Sequence, residues 1–112
     1  MGQDKSEILQ GTLDLMILQC LATMGPQHGW GIARRLEQVS EDFLFLNQGT
    51  IYPALVRLEQ RGSIKSEWGV SENNRKAKFF EITKAGRRQL AQETNNWWRM
   101  AGIMSRLLQK PE

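Results

Sequence analysis

Three amphipathic helices, two stretches of period-two alternation joined by a polar basic turn, and a long final helix with a heptad-like seam follow one another in this chain. That order predicts a mainly α fold with a β-hairpin wing: a winged helix-turn-helix plus one C-terminal dimerisation helix. Residues 1–83 form the DNA-binding unit in this reading and residues 84–112 the dimerisation helix. A chain of 112 residues has room for one domain with a real core, but not for a large enclosed active site.

The first helix, about 8 to 24, shows one apolar face at Leu9, Leu13, Met16, Ile17, Cys20, Leu21 and Met24 and stops at Gly25-Pro26. After a short loop, Gly25 to Gly29, the second helix buries Ile32, Ala33, Leu36 and Val39 and turns Arg34, Arg35, Glu37 and Gln38 outward. It opens on His28-Gly29-Trp30-Gly31, where two glycines allow close backbone approach at a helix N-terminus, a favourable place for phosphate. The favoured reading of Trp30 is that it packs. Ser40 to Leu46 is a turn followed by Phe43-Leu44-Phe45-Leu46, a buried connector or short strand.

The third helix, 47 to 61, is the centre of the prediction. Ile51, Ala54, Leu55 and Leu58 form its buried stripe, while Gly49, Pro53, Val56, Arg57 and Gln60 occupy the opposite face with Thr50 and Tyr52 on the flanks. Asn47 is the expected N-cap, with Thr50 as the alternative; Pro53 lies near the first turn, and Gly62 takes the left-handed C-terminal position. Glycine and proline keep the outer surface low, which suits a DNA major groove. Past Gly62 the period falls to two: Ile64, Ser66 and Trp68 alternate with Lys65 and Glu67, and Lys78, Phe80 and Ile82 with Phe79 and Glu81. Gly69 to Lys76 joins them, with a polar tip from Ser71 to Lys76.

Thr83 caps the last helix, which runs to about Leu108 with a seam of Leu90, Thr94, Trp97, Ala101, Met104 and Leu108. Trp98, Ile103 and Leu107 lie outside that seam, so the helix carries more apolar surface than one contact covers. Monomers seldom expose such a patch, which predicts a homodimer.

The formal charge is +3 and the pI about 9.4, a mild bias toward polyanions. From Arg75 to Arg88 there are six basic residues against one acid, Glu81. Cations supply affinity through phosphates and groove-facing side chains supply choice, so the candidate DNA contacts are Gln48, Thr50, Tyr52, Pro53 and Arg57 on the third helix and Asn74, Arg75, Lys76 and Lys78 on the wing. Arg57 is suited to a bidentate contact with guanine. Lys84, Arg87 and Arg88 oppose the dipole of the last helix; either an external anion or a nearby carboxylate, Glu59 or Glu81, offsets them, and the carboxylates are the preferred reading. The lone cysteine, Cys20, packs as a small hydrophobe, and with no spanning segment or signal pattern a cytoplasmic, membrane-free protein is expected.

Gly49-Thr50-Ile51-Tyr52-Pro53-Ala54-Leu55-Val56-Arg57-Leu58-Glu59-Gln60-Arg61-Gly62 resembles the signature helix of the PadR family of bacterial transcriptional regulators. Leu9 to Leu15, His28 to Ala33 and Arg75 to Gly86 are similar to the family's first helix, second helix and wing-to-helix segments, so the likeness covers about residues 8 to 108. It is greatest to the short members found beside permease genes in acidobacteria and related bacteria. The resemblance implies a homodimeric repressor whose C-terminal helix exchanges contacts with the partner's first helix; two third helices related by a two-fold axis would in turn fit successive major grooves, which predicts an inverted-repeat operator with half-sites about one turn, ~10 bp, apart. Leu13 and Met16 would then join Leu90, Thr94, Trp97, Ala101, Met104 and Leu108 at the interface. Two departures stand out: Trp30 replaces a usual tyrosine and loses its hydroxyl, and Phe79-Phe80 replaces a frequent tyrosine pair.

Two other functions compete with a plain repressor. Trp97 and Trp98 are a candidate platform for a small planar aromatic effector, as in a multidrug-type sensor, although packing at the interface is the preferred reading. A winged helix that binds protein rather than DNA would show an acidic or apolar third-helix face, whereas this one holds Arg57 and Gln60 beside a basic wing. An enzyme is not expected: there is a single histidine, no metal-ligand spacing, no nucleophile motif and no phosphate loop, and no cofactor is called for.

Overall fold

The computed structural model describes residues 5–41 and 46–109, with the backbone alone for 5–11. Its elements are α1 (Lys5–Met24), α2 (Gly29–Val39), α3 (Gln48–Gln60), β1 (Ile64–Val70), β2 (Lys76–Ile82) and α4 (Lys84–Leu107). The strands pair antiparallel with Ile64 opposite Ile82, Ser66 opposite Phe80, Trp68 opposite Lys78 and Val70 opposite Lys76. This is the predicted winged helix-turn-helix with one further helix.

One core serves all of it. Ile17, Leu18 and Leu21 of α1, Ile32 of α2, Ile51, Leu55 and Leu58 of α3, and Ile64 of β1 are almost wholly buried, with Phe80 and Ile82 closing the sheet side. Leu18 is the core residue that the α1 stripe did not include. It falls between the Leu13/Ile17 and Leu21 rows, and α1 meets α2, α3, β2 and α4, too many neighbours for a narrow stripe. Met24 and Val39, expected inside, are exposed, because each ends its helix beyond the last packed turn. Trp30 is also exposed, at 66 %, so the packing expected of it is absent. Of the predicted 43–46 connector, only Leu46 belongs to the described residues, and it is buried.

The caps of α3 and α4 follow the sequence. Asn47 accepts the Thr50 N–H at 3.0 Å on its side chain, and Gly62, at φ +80°, makes the left-handed exit. Pro53, however, stands in the second turn of α3 rather than the first, where it lacks the N–H that would reach the Gly49 carbonyl. Its ring lies on the exposed face and the helix continues past it.

The segment read as a loop before α2 contains one isolated β-bridge. Gln27 and Phe80 exchange both backbone bonds, at 3.0 and 2.8 Å, so β2 is paired on both edges. A single residue pair has no periodicity, and sequence pattern cannot display it. At the other end of the wing, Thr83 accepts the Gly86 N–H at 3.1 Å and donates to the Gly62 carbonyl at 2.7 Å. Gly86 is buried against the Ser63 carbonyl, where a Cβ would collide with backbone. The base of the wing and the start of α4 are thereby locked together, with the Ser63 hydroxyl bonded to Gln89.

α4 divides along its length. Leu90 packs against the core and Thr94 is half-buried, both where α4 crosses α1. Trp97, Trp98, Met100, Ile103, Met104, Leu107 and Leu108 are all exposed. The molecule measures 55 × 32 × 24 Å, the long dimension suiting a 24-residue helix of about 36 Å. Of the residues assigned to the dimer interface, Leu13 is therefore an interior one and Leu90 is half-buried. Leu13, 4 % exposed, lies in the core, and Leu90 is packed partly buried against it within one chain.

Candidate nucleic-acid interface

The N-terminus of α2, the outer face of α3 and the wing meet at one end of the domain. His28 caps α2, its Nδ1 accepting the Gly31 N–H at 3.1 Å. Its ring stands edge-on to Phe79 of β2 at 5.3 Å, and Nε2 lies 3.6 Å from the Glu72 carboxylate at the wing tip. The histidine that had no partner in the sequence thus joins α2 to the wing across 44 positions. The Glu72 carboxyl is held below its ordinary range, first by its own backbone N–H and then by the His28 side chain. Gln48 at the start of α3 reaches over Gly29, where a Cβ would come within 2.6 Å of its Oε1. Glycine at that position permits the two helix N-termini to approach.

The outer face of α3 is low, as predicted: Gly49, Tyr52, Pro53 and Gln60 are exposed, Val56 half-buried. Thr50 is half-buried, and its hydroxyl lies 3.4 Å from Asn47 Oδ1, so it belongs to the cap as much as to the surface.

Arg57 departs from expectation. Its Nη2 lies 2.9 Å from Asp14 Oδ1 of α1, with the two side chains 35 % and 12 % exposed. At 100° per residue Arg57 falls about 110° from the middle of the buried stripe, on a flank rather than at the far pole. That flank meets α1, where the shielded Asp14 carboxylate needs a counter-charge. The free, groove-facing guanidinium read from sequence is a paired one. Asp14 stands between Leu13 and Leu15, and a carboxylate inside an apolar run is the signal in the sequence that it has a partner.

The wing presents its cations differently from one another. Asn74, at φ +59°, turns the tip, and Arg75 beside it is exposed. Lys76 places its Nζ 5.3 Å from the Trp68 ring centroid, and Lys78 is half-buried opposite Trp68. The carboxylates expected to offset Lys84, Arg87 and Arg88 are engaged elsewhere: Glu81 lies 3.9 Å from Lys65, and Glu59 accepts the Ser66 hydroxyl at 2.6 Å. That last bond ties α3 to β1.

Away from this surface, α1, α2 and α4 line an apolar groove of about 600 Å³ that includes Leu15, Met16, Cys20, Val39, Trp97 and Trp98. The two indoles stand edge-to-face at 5.0 Å. Among the described residues no group of His, Cys, Asp and Glu could hold a metal ion, and no helix is long and apolar enough to cross a membrane.

A helix with a low exposed face, braced by a second helix and flanked by a basic hairpin, defines a winged-helix transcriptional regulator. The chain belongs to the transcriptional regulator PadR-like family, whose pattern it matches over residues 17–92. It is similar to a transcriptional regulator from Clostridium thermocellum at 25 % identity and a TM-score of 0.80, covering 89 % of this chain and 96 % of that one. A PadR-like regulator from Bacillus cereus matches at 26 % identity and TM-score 0.78, over 94 % and 99 % of the two chains. A PadR family regulator from Clostridium difficile matches at 30 % and 0.72, over 86 % and 97 %.

Proposed function

We propose that this regulator is a homodimeric repressor that places α3 of each protomer in successive major grooves of an inverted-repeat operator, with the wings on the flanking backbone. The observation that carries the reading is the shared exposure of Tyr52, Pro53 and Gln60 on α3 and Arg75 and Lys76 on the wing, joined through the Glu59–Ser66 bond. Gln48, Thr50, Tyr52, Pro53, Asn74, Arg75, Lys76 and Lys78 remain the proposed DNA contacts. Arg57 enters as the residue that sets α3 against α1. Residues 1–83 are the DNA-binding unit and 84–112 the dimerisation helix, whose uncovered face of Trp97, Ala101, Met104 and Leu108 would meet α1 of a second copy near Met16.

The test is a gel shift of the protein on its own promoter, followed by hydroxyl-radical footprinting. Two protected patches about one helical turn, ~10 bp, apart support the reading; no shift at low salt on any duplex overturns it. A second function, sensing of a planar aromatic effector, is favoured by the groove beside Trp97 and Trp98. Such a compound should quench their emission and release operator; quenching without release would leave a groove without control of DNA.

A further inference from the structure

We propose that Trp68 is a DNA-contacting residue of the wing, packing one face of its indole on the deoxyribose wall of the minor groove while Lys76 and Lys78 beside it hold the adjoining phosphates. The inference deepens the operator-binding reading and rests on it.

Alternation assigns the side chains of the hairpin to two faces. Ile64, Ser66, Trp68 and Val70 share one, together with Ile82, Phe80, Lys78 and Lys76, the residues directly opposite them. Exposure rises steadily along that face. Ile64, Phe80 and Ile82 are core; Ser66 and Lys78 are half-buried; Trp68 is 62 % exposed and Val70 equally open. Ser66 orients the face, because its hydroxyl bonds Glu59 of α3. The open part carrying Trp68 is therefore the side of the wing that continues the surface of α3.

The charges are sorted in the same way. Both charged residues on this face, Lys76 and Lys78, are cations, while the hairpin acids Glu67 and Glu81 point to the other face and Glu72 lies near His28. An exposed indole bordered on its β2 side by two lysines, Lys78 directly opposite and Lys76 diagonal to it, matches a partner with an apolar strip next to a row of negative charge, as deoxyribose and phosphate present along the wall of a minor groove. The position of Lys76 also limits the mode of contact. Its ammonium lies over the ring at 5.3 Å, so one face of the indole is occupied and insertion between base pairs, which needs both, is disfavoured. One-sided packing on sugar uses the face that remains. Sugar and phosphate contacts carry no base identity, so the contribution is to affinity on any duplex.

The experiment measures binding of wild-type, Trp68→Ala, Trp68→Phe and Lys76→Gln proteins to the promoter fragment and to a random duplex across a salt series. Trp68→Ala should weaken binding about tenfold on both duplexes without changing the steepness of the salt dependence, since an indole displaces no counterions; Lys76→Gln should reduce that steepness by about 0.9. Trp68→Phe should keep most of the affinity and lose the drop in tryptophan emission that DNA causes in the wild type. Unchanged thermal melting of Trp68→Ala would show that the fold is not the cause. Wild-type affinity in Trp68→Ala, or an undiminished emission change in Trp68→Phe, overturns the proposal and leaves DNA binding standing. A wild-type protein that binds neither duplex overturns the operator reading itself.

Discussion

The Arg57 guanidinium of α3 and the Asp14 carboxylate of α1 meet at 2.9 Å across 43 positions of sequence. The pair joins the helix proposed to enter DNA to a helix that lines the apolar groove.

Arg57→Ala should therefore act on stability first. It leaves a shielded carboxylate without its partner, a loss of about 1–3 kcal/mol, which in a domain of this size lowers the thermal midpoint by about 4–8 °C per kcal/mol. Melting followed by circular dichroism checks this, and adding Asp14→Asn should recover part of the loss. An unchanged midpoint with weaker binding to the operator alone would show that Arg57 leaves Asp14 to read a base.

Replacing Arg75, Lys76 and Lys78 by glutamine should reduce affinity for operator and random DNA alike. The slope of log affinity against log salt should fall by about 0.9 for each phosphate contact removed. Filter binding at several salt concentrations measures it, and an unaltered slope would place the wing off the backbone.

Gly86→Ala should destabilise the chain by about 1–3 kcal/mol, because the new methyl group collides with the rigid Ser63 carbonyl. Urea unfolding gives the value. Gly25 is a useful contrast: a Cβ there meets no atom, and its φ of +83° alone makes substitution unfavourable.

Sedimentation at low micromolar concentration should find a dimer, and Trp97→Glu should split it or unfold the chain. A folded wild-type monomer would remove both the dimer and the two-fold operator.

Cys20 should resist alkylation until the protein unfolds. Burial pushes its thiol up, against a weaker opposite pull from Arg35. A raised acid binds its proton more tightly in the folded state, so its contribution to stability is complete below the unfolded thiol's pKa of about 8.5 and is lost as pH rises through the folded value. Iodoacetamide labelling at pH 8, with and without urea, tests the protection.

Much of this molecule was legible in the order of residues because the signals are local. The stripe Ile51, Ala54, Leu55, Leu58, the cap at Asn47, the stop at Gly62, the alternation after Ile64 and the cap at Thr83 each concern residues within a turn or two of one another, and each stands where it was read. The proposed site was half legible. Periodicity assigns Tyr52, Pro53 and Gln60 to the outer face of α3 and the cations to the wing, which are matters of direction around one axis or along one strand.

What tertiary structure decided is every relation between distant residues. Arg57 lies on the flank of α3 that meets Asp14, so packing against α1 turned an apparent base-reading group into an internal tie. His28 acquired Glu72 and Phe79 only when β2 folded beside α2. Leu13 was taken into the core of its own chain, while Trp30 was left in the open. The physical reason is the same in each case: a helix or strand period fixes which way a side chain points, whereas burial, pairing and availability depend on what another element places in front of it.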